Sequence, residues 1–181
     1  METAVARRAN IFIALALIAI AVLLRVLPHP PNFAPVAAVA LFGGAVLPRK
    51  YGLITPVAAM VVSDLVIGLH SLVLVTWGTY ALIALAGSYW LKKGSVPLGA
   101  FLAVSSSVFF FLVSNFAVWV EGKLYPHTFA GLGRCFELAL PFFRNTFLSD
   151  IVYTAGLFGL YALTVKASGH FTKLSVKKIE V

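Results

Sequence analysis

The sequence predicts an all-α fold, a polytopic membrane bundle of six transmembrane helices with both termini cytoplasmic. Three observations predict it. Of the 181 residues, 61% are hydrophobic and only 11% charged. A soluble domain of this size cannot hide that much apolar side chain, so a bilayer is the natural solvent. The apolar residues fall in six runs, at 9–27, 33–47, 52–69, 71–91, 97–120 and 143–166. A spanning helix needs roughly 20 apolar residues at about 1.5 Å rise each, which five runs approach and the second does not. Finally, the lysines and arginines sit in pairs between the runs and in a basic tail, 167–181.

That third pattern fixes the expected orientation. With the N-terminus inside, the cytoplasmic side receives Arg7, Arg8, Arg49, Lys50, Lys92, Lys93, Lys166, Lys173, Lys177 and Lys178. The outer half keeps Arg25, Lys123, Arg134 and Arg144, balanced by Asp64, Glu121, Glu137 and Asp150. With Glu2 and Glu180, the inner side carries the whole net charge of +8, as the positive-inside rule requires. Paired anchors of this kind argue for lipid headgroups and against nucleic acid. The single cysteine, Cys135, excludes an intrachain disulfide and a multi-cysteine metal site.

Span one begins with Arg7 and Arg8 and contains Ala19-Ile20-Ala21, a formal match to a cleavable leader. The apolar run continues to Leu27, so it is read as an uncleaved span. The turn that follows, LPHPPNFAPVAA at 27–38, holds four of the nine prolines. Pro30 and Pro31 keep it extended, Asn32 is placed to cap span two, and Pro35 is tolerated in a first turn whose N–H groups lack partners. It is either a plain chain reversal or a rigid outer lip that sets His29, Asn32 and Phe33 over a pocket mouth. Span two is dense in small residues. Ala34 with Ala38, and Ala40 with Gly44, form small-xxx-small pairs that suit close packing within the bundle or docking of a partner.

Spans three and six each carry a Ser-Asp pair, giving Asp64 and Asp150 in the outer half. Polar groups in a membrane are expensive, so these mark either structure or a site. The structural reading pairs Asp64 and Asp150 with Arg25 and Arg144 as buried charge pairs. The functional reading makes them part of a solute pocket. Trp77 and Tyr80 on span four, Phe111, Asn115 and Trp119 on span five, and Asp150 and Tyr153 on span six would supply aromatic walls and a few orienting polar groups. The segment 126–141 is read as a short interfacial or re-entrant helix ended by Pro141, with His127, Arg134 and Glu137 on a gating cap before span six. His29, His70 and His127 match no metal spacing, and no catalytic motif is present. No cofactor is expected.

The PHPPNFAPVAA turn, the Ser-Asp of span three, SNFAVW in span five and YPHTFAGLGRCFELALPFFRNT resemble an uncharacterised family of small bacterial integral membrane proteins. The layout is also similar, more distantly, to the substrate-binding S-components of energy-coupling-factor vitamin transporters. That resemblance implies capture of a small organic nutrient from outside, across the inner membrane. It also implies a membrane scaffold subunit and two cytoplasmic ATPases as partners. The AxxxA docking pattern sought in the first helix of S-components is absent from span one, whose nearest equivalents lie in span two. The expected function is therefore a solute-binding uptake subunit. The alternatives are a membrane enzyme using Asp64 or Asp150 with His70 or His127, and a structural or assembly protein.

Overall fold

In the computed structural model the backbone of residues 3–91 and 96–179 is described, with side chains to residue 166. The expected charges at Glu2, Lys92, Lys93 and Glu180, and the side chains of Lys173, Lys177 and Lys178, lie outside the described residues. Six helices follow in order: α1 Ala4–Val26, α2 Val36–Val46, α3 Arg49–Ile67, α4 Val73–Trp90, α5 Val96–Glu121 and α6 Phe129–Ile179. No strand occurs among the described residues. All helices except α2 are long and apolar enough to cross a membrane. Their outward faces carry large apolar side chains such as Phe12, Leu65, Leu74 and Phe101, each more than half exposed, as a lipid-facing bundle requires.

One expectation is sharpened and one is corrected. The second span is an 11-residue helix, about 16 Å long, roughly half a hydrocarbon core. It is shorter because the proline turn occupies 30–35 before regular geometry begins. The short helix before span six does not form separately. Residues 129–179 make one helix with Pro141 inside it. Proline removes one backbone donor but does not forbid continuation where neighbouring helices support both halves.

Helix α2 is the centre of the molecule. Nine of its residues, Val36 to Gly44, are buried, packed chiefly on α4, α3 and α6. Glycine makes this possible. A Cβ on Gly44 would collide with the Ala84 carbonyl, one on Gly87 would come within 2.5 Å of the Leu41 oxygen, and one on Gly52 within 2.7 Å of the Gly43 oxygen. The small-residue face is thus consumed by α3 and α4. Ala38 and Ala40 are fully buried and Ala34 half-buried, so this face is covered by the chain itself and is not open to a partner.

The helices alternate in direction. Arg25, near the end of α1, meets Asp64, near the end of α3, while Trp77, near the start of α4, bonds the same aspartate. At the opposite end Arg49, the first residue of α3, donates to the Tyr89 hydroxyl at 2.7 Å. Leu157 and Phe158 of α6 belong to the same apolar cluster as Leu47 and Tyr51. The start of α1 and the later half of α6 therefore emerge from one end of the bundle. The proline turn lies at the other.

Candidate functional site

The proline turn is built on a reverse turn. Phe33 N–H donates to the Pro30 carbonyl at 3.0 Å, and Asn32 has φ 61°. Proline at the second position and a positive φ at the third define a type II turn, where asparagine is one of few tolerated residues. Asn32 therefore shapes the turn and does not cap α2, whose N-cap is Pro35 without a side-chain bond. The two ring nitrogens of His29 face the Pro30 and Arg25 carbonyls at 2.9 and 3.0 Å. Three residues of α6, four apart and so on one helix face, hold the turn in place. Asn145 donates to the Pro31 carbonyl at 2.9 Å, Ser149 to the Ala34 carbonyl at 3.4 Å, and Tyr153 stacks obliquely on Phe33 at 5.8 Å.

Beneath the turn lies a polar cluster supplied by five helices. From α1, the Arg25 guanidinium sits 2.6 Å from Asp64 Oδ1. It donates its hydrogen bond to Ser63 Oγ, so the contact to Oδ1 is an ion pair without hydrogen-bond alignment. Asp64 Oδ2 accepts from Trp77 Nε1 at 2.7 Å. Tyr80, buried one turn further along α4, stacks on Phe110 at 5.0 Å. It is within electrostatic reach of Asp150, Arg25 and Asp64 together. Asp150, 2% exposed, accepts from Ser107 Oγ of α5 at 2.6 Å. One turn along α6, the hydroxyl of buried Thr154 has no hydrogen-bond partner among the described residues.

Of the expected site residues, the structure brings together Arg25, Asp64, Trp77, Tyr80 and Asp150. It does not bring the span-five group to them. The Asn115 amide donates to Phe111 O in its own helix, and Cys135 approaches the Asn115 carbonyl at 3.4 Å. Phe111 packs on Phe136 and Phe143 at 5.4 and 4.7 Å. Trp119 Nε1 donates to Pro126 O, while His127 Nε2 faces the Trp119 and Val120 carbonyls. These residues form a clasp that ties the first turns of α6 along α5. That is why they face packing instead of a pocket. Gly122, at φ 70°, makes the tight turn beside His127.

The cap and the second charge pair also differ from expectation. Arg134 and Glu137 pair with each other at 2.8 Å, both exposed. Arg144 is exposed and makes no ion pair among the described residues, so only the Arg25–Asp64 half of the charge-pair reading holds. An open groove of about 580 Å³ lies on the α4–α5–α6 surface, lined by Val75, Leu112, Val113, Phe116, Ala117, Val120 and Phe136. It is apolar and contains none of the expected binding residues. Among the described residues no three His, Cys, Asp or Glu side chains gather as metal ligands.

The sequence reading missed Ser107 and Asn145. A signal for the first existed, since Ser105-Ser106-Ser107 is a polar run inside an otherwise apolar span. Asn145 carries no pattern that singles out a backbone carbonyl over a hundred residues away.

Fold and cluster together define a helical bundle of multi-pass membrane type, with buried charge concentrated toward one end. Residues 6–173 match the model of a family of unknown function, DUF6580, and the chain belongs to that family. No curated protein and no solved structure matches it.

Proposed function

We propose that the protein is a solute-binding uptake subunit of the inner membrane, resembling an energy-coupling-factor S-component and capturing a small organic nutrient from the outer side. In this reading the proline-turn end faces outward and both termini are cytoplasmic, in keeping with Arg7, Arg8, Arg49, Lys50 and Lys166 at the opposite end. One observation carries the reading. Tyr80 of α4 stacks on Phe110 of α5 and lies within electrostatic reach of Arg25 of α1, Asp64 of α3 and Asp150 of α6, at the end opposite the basic anchors. An ionisable group inside a membrane bundle is costly enough to be a functional-site hypothesis by default.

The turn at 28–35 acts as the lid of that site. Its hold on α6 is three contacts, two of them single hydrogen bonds to backbone carbonyls, weak enough to open and reclose. A scaffold subunit and ATPases would engage a surface other than the α2 small-residue face. Thermal unfolding of purified protein against a panel of small organic nutrients tests the reading. A hit should weaken at least tenfold on replacing 28–31 by Gly-Ser-Gly-Ser, with folding preserved. A wild-type chain that no member of the panel stabilises argues for the second reading.

That second reading is a structural or assembly protein. It is favoured by the mutual satisfaction of Arg25, Ser63, Asp64 and Trp77 and by the apolar character of the surface groove. The enzyme reading fares worse, because acid and base must share a cavity. Asp64 is held by Arg25 and Trp77, His70 accepts from Leu72 N–H, and His127 belongs to the clasp.

A further inference from the structure

We propose that Asp150, with Ser107 and Thr154, forms a binding site for a small monovalent cation, sodium or a proton, that neutralises the carboxylate in the bundle core. The inference rests on reading the cluster as the working site of a transport protein.

Three observations lead to it. First, Asp150 is 2% exposed and no described Lys, Arg or His lies within ion-pair distance. Arg25 is committed to Asp64 and Ser63. Second, its compensation is a single neutral hydroxyl. Ser107 Oγ has one hydrogen, yet it lies 2.6 Å from Asp150 Oδ2 and 3.1 Å from the Ala103 carbonyl. Burying an unpaired carboxylate costs far more than one such bond returns. If the carboxyl carries a proton, the chain closes without conflict: Asp150 donates to Ser107, and Ser107 donates to Ala103 O.

Third, Thr154 Oγ1 is buried and unpartnered. It stands one helical turn from Asp150, where i and i+4 side chains are neighbours. A serine and a threonine hydroxyl beside a carboxylate offer oxygen donors, the ligand type that hard cations take.

The groups facing Asp150 from other helices are few. Helix α4 presents Tyr80, with Arg25 of α1 and Asp64 of α3 beyond it. From α5 comes Ser107, and α2 carries no ionisable residue at all. The one positive charge in this set, Arg25, is already paired with Asp64, so none is left for Asp150. A cation arriving from the proline-turn end would supply it.

The test needs no organic solute, so its outcome is separable from that of the uptake reading. Purified protein in detergent is unfolded thermally in sodium chloride against N-methylglucamine chloride at equal ionic strength. The series is repeated across pH without sodium. Wild type should gain several degrees from sodium or from falling pH. Asp150→Asn, neutral from the outset, should melt at least as high and lose the response. Thr154→Val separates the two cations, abolishing a sodium response and sparing a proton response. Identical responses in wild type and Asp150→Asn overturn the site. Should Asp150→Asn fail to fold, infrared spectra of wild type and Ser107→Ala carry the same test. A buried carboxyl band must change on adding sodium or shifting pH, and must move in Ser107→Ala; an unchanged band overturns the proposal.

Discussion

Helices α3 and α6 each carry a Ser-Asp pair deep in the bundle, and the two sites have been solved differently. Asp64 is surrounded: Arg25 at 2.6 Å, Trp77 Nε1 at 2.7 Å, and Ser63 completing the guanidinium's partners. Asp150 is as deeply buried and has one serine hydroxyl. The same dipeptide thus yields a closed ion pair in one place and an open account of charge in the other. Burial alone therefore does not separate the two carboxylates; their partner sets do.

The largest expected effect breaks the closed site. Arg25→Met leaves Asp64 buried and unpaired and should cost about 3–5 kcal/mol in unfolding free energy. Adding Asp64→Leu should recover most of that loss, because an apolar replacement of both partners is often neutral. A double mutant no better than the single would show that the pair is not the source of the cost. Next comes the backbone contact beneath both sites. Gly44→Ala drives a Cβ into the Ala84 carbonyl and should cost about 1–3 kcal/mol, visible as a lowered midpoint; an unchanged midpoint would contradict the α2–α4 packing.

Trp77→Phe keeps an aromatic side chain, though a smaller one, and removes one bond to a charged acceptor, worth about 1.5–3 kcal/mol. The hydrogen-bond part of its effect should vanish in the Arg25→Met/Asp64→Leu background, leaving only the cost of the smaller ring, a coupling that a double-mutant cycle reads directly. Smallest is the exposed pair on α6. Glu137→Ala should change stability by less than about 0.5 kcal/mol, and a larger loss would mean that the first turns of α6 do more than line α5.

Much of this contrast was legible in the sequence. Asp64 and Asp150 stand out because carboxylates inside apolar runs are costly, and Arg25 is an obvious partner by depth. Five of the six helices follow from run length. What failed was anything decided by tertiary packing. The aromatic spacing of Phe111, Asn115 and Trp119 has the same period whether it faces a solute or another helix. Only the path of α6 along α5 shows that it faces packing. Pro141 reads as a helix end by its own chemistry, yet α6 runs through it. Small residues in α2 signal close approach, but not whether the approaching backbone belongs to the same chain. Arg144 matched Asp150 in depth and charge, and a side chain pointing outward leaves no trace in sequence.

The uptake proposal stands or falls on whether the cluster around Tyr80 holds a small organic solute. Native mass spectrometry of the protein taken gently from its own host's membranes reads this out. A solute-holding cluster should give a reproducible added mass of a small organic molecule, lost in Tyr80→Ala and Trp77→Ala preparations that still fold. A bare polypeptide mass in every preparation, unchanged when a broad set of nutrients is added, would contradict it.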